Sequence, residues 1–377
     1  MKIAVNTRLL LHNRLEGIGY FTLKTLEKVV KNHPEHEFIF FFDREYHDSF
    51  VFADNVTPVV IPFPTRAPIL WYMYFEFLLP LYMKKHKVDM LFSPDTYIPT
   101  RPKVPTLNTF HDINYEYDPS YIGNYWHRKY YLNYFPKFAK SSTHLVTVSQ
   151  YSKRDLIEFY DIPENKIDVV YNAANEGYYV LSEEEKKKTK EDLTGGSDYF
   201  YFIGAIHKRK NLLNLFKGFD LFKEKTKSDV KLVIIGSKKW WKGEIEDCYN
   251  HLRYRRDIIF TGRLEVDKIN KIANAALALT FVSQFEGFGI PIVEAFAAGC
   301  PVITSNATSM PEVGGDAALY CDPYLPQSIA DLMERIYLEP ELREDLIRKG
   351  FEQNNKFNWE KSAEKLWNAI EKTINIG

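Results

Sequence analysis

The feature that most constrains this chain is the alternation of short apolar runs with longer stretches of helical periodicity. Runs rich in β-branched and aromatic residues fall at 2–6, 38–42, 59–62, 90–93, 106–110, 145–149 and 168–171, with helical patterns between them. The rhythm stops between 172 and 198, where Asn172-Ala173-Ala174-Asn175, a Glu/Lys-rich segment at 183–192 and Thr194-Gly195-Gly196-Ser197 read as a connection. A second series follows at 199–204, 231–236, 257–262, 277–282, 301–304 and 317–321. Segments such as Leu232-Val233-Ile234-Ile235 have no polar alternate positions, so both faces of their sheet have to be covered by helices. The expected architecture is two doubly wound α/β domains, residues 1–175 and 176–358, followed by a helical pattern in 359–377.

At 377 residues the chain has the length of two ordinary domains. Its 45% hydrophobic and 26% charged residues suit a globular protein. Lys+Arg at 49 nearly balances Asp+Glu at 50, so no overall field draws it to nucleic acid, and none is expected as a partner. Cys248, Cys300 and Cys321 form no CxxC pair, which points away from a disulfide framework or a zinc site and toward a reducing, cytoplasmic setting. The amino terminus runs straight into an apolar strand pattern without the layout of a signal peptide, so export is not expected. The apolar stretch 69–83 contains Glu76 and Pro80 and falls short of the roughly 20 residues a membrane span needs.

In an open α/β sheet, ligands sit beyond the carboxyl ends of the strands, and two loops there carry the chemistry. After the run at 277–282 comes Phe285-Glu286-Gly287-Phe288-Gly289-Ile290-Pro291-Ile292-Val293-Glu294. Gly287 and Gly289 allow a tight turn, Pro291 fits the first turn of a helix, and a helix start near Ile290 offers free N–H groups to an anion such as diphosphate. Glu286 on the loop and Glu294 about one turn into the helix reach toward one ligand from two heights. After the run at 199–204 comes Gly204-Ala205-Ile206-His207-Lys208-Arg209-Lys210-Asn211. An arginine fork and a lysine ammonium there suit a leaving diphosphate.

The first of these segments, continued by Pro301-Val302-Ile303-Thr304-Ser305 and the run from Ser309 to Ala318, resembles the Glu-x7-Glu signature of glycosyltransferase family 4, and within it the mannosyltransferase-like group. The resemblance implies a retaining enzyme with the GT-B fold, two Rossmann-like domains facing across a cleft, the first for the acceptor and the second for a nucleotide sugar; Phe357-Asn358-Trp359-Glu360 and the pattern after it resemble the family's last helix, which implies that 359–377 crosses back to the first domain. It assigns Glu294 to the nucleotide ribose, Glu286 to hydroxyls of the transferred sugar, and the backbone of Phe288, Gly289 and Ile290 to the sugar and phosphates. Arg209 and Lys210 match the family's Arg-Lys-Asn segment. Arg263 and Leu264 lie where the family's base rests, with Ser237 after the neighbouring strand. His111, at the end of the run 106–110, matches a family histidine near the donor hexose. Gly17 and Gly19 form a cleft-facing loop, and the absence of a full G-x-G-x-x-G there argues against a nicotinamide site. Ser152 and Asp155 read as helix-stabilising.

No Asp-x-Asp triplet occurs, so no metal or other cofactor is expected and basic groups take the metal's part. Two basic aromatic clusters, Trp71 to Lys87 and Trp126 to Tyr131, fit either a peripheral contact with the inner membrane face or helix packing with snorkelling basic ends. The expected reaction moves a hexose from a nucleotide-diphosphate sugar to a glycan or lipid-linked acceptor in surface polysaccharide biosynthesis, with GDP-mannose the first donor to test. A nucleotide-sugar epimerase of the same fold and a silent sugar-nucleotide-binding scaffold are the alternatives.

Overall fold

The computed structural model describes residues 1–12, 15–237, 241 and 243–376. It divides into two units, residues 1–172 joined by the segment from Trp359 onward, and residues 173–358.

The first unit is built on a parallel sheet of β1 (Lys2–Asn6), β2 (Glu37–Phe42), β3 (Val56–Val60), β4 (Met90–Ser93), β5 (Thr106–Phe110), β6 (His144–Thr147) and β7 (Ile167–Val169), in the order β3-β2-β1-β4-β5-β6-β7. The second carries β8 (Tyr199–Ile203), β9 (Lys231–Ile235), β10 (Ile258–Gly262), β11 (Ala278–Phe281), β12 (Val302–Ser305) and β13 (Ala318–Cys321), in the order β10-β9-β8-β11-β12-β13. Each expected run forms a strand, because strands buried on both faces keep little but apolar residues. The largest displacement is β3, expected at 59–62 and found three residues earlier. It is an edge strand, where Pro58 is tolerated although it has no N–H to donate.

In each sheet the winding direction reverses once, between β1 and β4 in the first and between β8 and β11 in the second. Loops leaving the carboxyl ends at such a reversal splay apart and open a crevice. This locates the ligand-binding edge of each unit from topology alone.

The helix Trp359–Ile376 belongs to the first unit. Its Ala363, Leu366, Ala369 and Ile370 are buried, Trp367 stacks on His33 with ring centroids 3.5 Å apart, and Lys372 pairs with Asp168 at 2.7 Å. The division near the linker falls at Asn172, three residues ahead of the place read from composition. The reason lies in Asn175 and Leu181, whose Nδ2 and N–H donate to Glu294 Oε1 at 2.7 Å and to Asn274 Oδ1 at 2.8 Å, fastening this segment to the second unit. Among the described residues, no helix is long and apolar enough to cross a membrane, and all three cysteines are free.

Candidate functional site

The winding reversal of the second unit sets the loop after β8 beside the loop after β11. The β8 loop closes into a single tight turn at Lys208–Lys210, and Asn211 then opens the helix Leu212–Thr226. Asn211 is fully inside and fastens the loop, its Nδ2 donating to the carbonyls of Val282 at 3.0 Å and Pro323 at 2.6 Å. The Gln284 N–H donates to the Arg209 carbonyl at 2.8 Å. The two loops are therefore locked together by the buried Asn211 side chain and one backbone hydrogen bond.

Their side chains meet at Glu286. Arg209 Nη1 lies 2.7 Å from one carboxylate oxygen and Lys210 Nζ 2.7 Å from the other. Arg209 Nη1 also donates to the Phe285 carbonyl at 3.0 Å, and the Lys210 ammonium sits 4.7 Å from the Phe281 ring centre. Burial alone would raise the Glu286 carboxyl, but Arg209 and Lys210 hold it down at about 2. It is thus a carboxylate at any working pH, between two cations.

The loop from 285 to 289 is held by Ser309, whose hydroxyl donates to the Glu286 carbonyl at 2.9 Å and the Phe288 carbonyl at 3.0 Å. Phe288 is buried edge-on against Phe357. Gly289, at φ 98°, occupies a left-handed conformation that a side chain would strain, and it starts the helix Ile290–Ala297. Pro291 sits in its first turn, and among the described residues the amides of Gly289 and Ile290 donate to no protein acceptor. They remain available to an anion.

Glu294, one turn further in, is buried, and among the described residues no cation lies beside it. It receives the Nδ2–H of Asn175, and the Asn175 amide and Tyr178 side chain also bond to it. Burial outweighs these neutral donors and lifts its carboxyl to about 7. Two glutamates eight positions apart therefore hold different charges near neutrality, because one has cations and the other has only dipoles.

Ser237, Arg263 and Leu264 follow β9 and β10 on the same edge. The Ile206 N–H reaches the Ser237 carbonyl at 3.5 Å and the Gly236 N–H donates to the Gly262 carbonyl at 2.9 Å. Gly204 meets Gly236 so closely that a Cβ on Gly236 would lie 1.9 Å from the Gly204 carbonyl oxygen. The structure thus brings Gly204, Arg209, Lys210, Ser237, Arg263, Leu264, Glu286, Phe288, Gly289, Ile290 and Glu294 to one edge of the second sheet.

His111, Gly17 and Gly19 belong to the first unit. His111 follows β5, and its Nε2 lies 2.8 Å from the Pro94 carbonyl, so this nitrogen carries the proton. Burial lowers the ring to about 4, which leaves it neutral with Nδ1 as an acceptor. Gly17 begins the helix Gly17–Asn32. Gly19 has a local reason to be glycine, since a Cβ there would stand 3.0 Å from the Leu9 carbonyl oxygen and 2.9 Å from Leu15 Cδ2. Ser152 and Asp155 are buried on the helix Gln150–Tyr160, where Ser149 rather than Ser152 caps the amino end. Sequence reasoning missed Asn175 and Ser309. Asn175 stood in a segment read as linker, and its second asparagine was the only signal.

Known proteins bear on this arrangement. The family model described as "Glycosyl transferases group 1" matches residues 183–353, and the one described as "Glycosyltransferase Family 4" matches residues 17–177. The O-antigen chain mannosyltransferase B of Escherichia coli is 26% identical over 371 residues, covering 94% of this chain and 96% of its own length. Among solved structures, sucrose-phosphate synthase from Thermosynechococcus elongatus superposes with a TM-score of 0.80 at 14% identity, covering 98% of both chains. The Anabaena protein HepE in complex with UDP-glucose gives a TM-score of 0.75 at 14% identity over 98% of this chain and 99% of its own. At such identities these structures speak to the fold alone, and the fold is GT-B.

Proposed function

Since the chain is a glycosyltransferase of the family 4 type, mannosyltransferase-like, we propose that it transfers a hexose from a nucleotide-diphosphate sugar to a glycan or lipid-linked acceptor, with retention and without a metal. Polysaccharide biosynthesis is the setting its relatives share. GDP-mannose is the donor to try first, on the strength of the mannosyltransferase relative, with UDP-glucose next because HepE binds it.

The observation that carries this reading is the cluster of Arg209, Lys210 and Glu286 beside the amino end of the helix Ile290–Ala297. In the proposed mechanism the donor diphosphate settles on the amides of Gly289 and Ile290, and Arg209 and Lys210 turn from Glu286 to its oxygens. Glu286, released, accepts hydroxyls of the hexose, while Glu294 accepts those of the ribose. As the glycosidic bond breaks, negative charge grows on the diphosphate where the two cations are already held, so their stabilisation is greatest in the transition state. The acceptor hydroxyl attacks on the face the diphosphate leaves, and a phosphate oxygen takes its proton. His111, neutral, offers Nδ1 to a sugar hydroxyl and serves in positioning.

Work at the cytoplasmic face of a membrane fits the same proposal. The segment Pro68 to His86 buries Trp71, Tyr74, Phe75, Leu79 and Met83 but leaves Ile69, Met73, Phe77 and Leu81 exposed. Its one carboxylate before the basic end, Glu76, is turned onto Thr100, accepting from its N–H at 2.8 Å and its hydroxyl at 3.0 Å. Both readings of the first aromatic cluster thus have a side of the helix to themselves.

The test is turnover in excess chelator. GDP-mannose and UDP-hexoses are offered with a polysaccharide-repeat acceptor, and the product's anomeric configuration is read by NMR. Transfer with the donor's own configuration supports the proposal, whereas an inverted product, a strict metal requirement or epimerised donor without transfer contradicts it.

A further inference from the structure

The winding reversal of the first unit carries a charged row that the donor site does not use. Across the adjacent strands β2, β1, β4 and β5, the residues just beyond the carboxyl ends are Asp43 with Arg44, Arg8, Asp95 and His111. The carboxylates lie underneath, with side-chain exposures of 0% for Asp43 and 1% for Asp95. The guanidiniums lie above them, at 9% for Arg8 and 37% for Arg44.

The support beneath Arg8 is rigid. Asp95 Oδ1 accepts from Asn6 Nδ2 at 2.7 Å and Ser93 Oγ at 3.2 Å, while its other oxygen holds Arg8 Nε. The Tyr97 ring lies 4.1 Å beneath the guanidinium. Arg44 grips Asp43 with Nε at 2.6 Å and Nη2 at 2.7 Å, and the two arginines are close enough to feel each other's charge. Tyr74 lies in the field of Asp43, Arg8 and Asp95, and its fully buried hydroxyl has no partner among the described residues.

Arg44 spends Nε and Nη2 on the two oxygens of Asp43, which leaves its Nη1 without a hydrogen bond among the described residues. At Arg8 one nitrogen does the holding, and among the described residues its two Nη groups make no hydrogen bond. Neither Arg8 Nη group is among the buried polar atoms that lack a partner, so both reach solvent and are open to an anion. They stand at the switch point of the sheet, where ligands bind.

We propose that Arg8, with Arg44, binds a phosphate group of the acceptor, whose reacting hydroxyl then points along the row toward His111. Two strand spacings, roughly 10 Å, separate the ends of β1 and β5, a span that one hexose with its phosphate ester bridges. The inference rests on the reading of the chain as a transferase with its acceptor on the first unit. It narrows the acceptor to a phosphorylated saccharide, either a soluble sugar phosphate or one linked through phosphate to a lipid.

Inorganic pyrophosphate, titrated calorimetrically into protein first saturated with GDP or UDP, tests it. We expect a second site that persists in Arg209→Gln and weakens about tenfold or more in Arg8→Gln and Arg44→Gln. Arg44 is the more exposed, so Arg44→Gln decides if Arg8→Gln does not fold. Mannose 1-phosphate and a short-chain prenyl phosphate, titrated in parallel, separate the two sources, and dependence on Arg44 in either supports the site. No pyrophosphate bound by nucleotide-loaded protein, or binding indifferent to both arginines, overturns the proposal while leaving the donor site intact. Failure of the nucleotide itself to bind removes the underlying reading instead.

Discussion

At the scale of residues, Glu286 on the loop after β11 and Glu294 on the helix that follows impose opposite pH dependences. Glu294 sits near 7 in the fold against 4.5 in its ordinary state, so the folded chain holds a proton that the unfolded chain has released between those values. Its contribution to stability is therefore largest at low pH, falls as pH rises from 4.5 to 7 and is constant above. Glu286, held down at about 2, contributes stability that is present above 4.5 and is lost as pH falls toward 2. Denaturant midpoints of Glu294→Gln and Glu286→Gln against wild type should show these opposite slopes. If the ribose needs the ionised Glu294, nucleotide Kd should rise about tenfold per pH unit below 7. The dependence should vanish in Glu294→Gln and move to higher pH in Asn175→Asp, which sets a second carboxyl against the first. Tyr178 and Tyr201 are the titratable neighbours, and burial holds Tyr201 protonated in this range. A pH profile unmoved by Asn175→Asp contradicts the coupling. Removal of a transition-state cation by Arg209→Gln should lower kcat by about 10²–10³ with a smaller effect on KM, and a change confined to KM contradicts its role. Glu286, Glu294, Arg209 and Lys210 were legible because their loops carry a long recognisable pattern. Arg8 with Asp95 and Asn175 with Glu294 were not, since 87 and 119 residues separate the partners and nothing local marks one as the other's.

At the scale of elements, the strands were legible and the helix surfaces were only half so. A doubly covered strand announces itself as an apolar run, whereas a helix rich in aromatic residues on every side does not say which it buries. The segment from Pro68 to His86 shows why. Pro80 has no N–H to give the Glu76 carbonyl and its ring would crowd it, and the backbone widens into a π-helical turn at Tyr74–Leu78 just ahead of it. Exposures of 64% for Ile69, 59% for Phe77 and 62% for Leu81 are those of side chains with no cover, and Lys84, Lys85 and Lys87 at the far end are exposed too. Such a face suits an anionic membrane surface, where apolar burial and basic charge add. Flotation with vesicles containing anionic lipid should retain the wild type at low salt and lose Phe77→Asp and the Lys84→Glu, Lys85→Glu pair. Equal flotation by all three, or none by the wild type, contradicts membrane contact.

At the scale of the whole molecule, each unit has its own sheet and its own core, and the chain returns to the first unit with its last helix. Removing residues 359–377 uncovers the apolar surface that Leu366, Ala369 and Ile370 bury, at about 25 cal/mol per Å². The first unit should lose its cooperative unfolding transition, while a fragment of 173–358 should keep the second unit's fold. Near-ultraviolet circular dichroism with heating distinguishes these outcomes. In the proposed site the second unit holds the donor through Glu294, the cations at Glu286 and the amides of the helix Ile290–Ala297. Calorimetric titration of GDP, UDP and their sugars into wild type and Glu294→Ala, with no divalent metal, tests it most directly. The expected result is one nucleotide bound per wild-type chain and binding lost or weakened at least tenfold in the variant; no nucleotide bound by the wild type, or equal affinity in both, would contradict it.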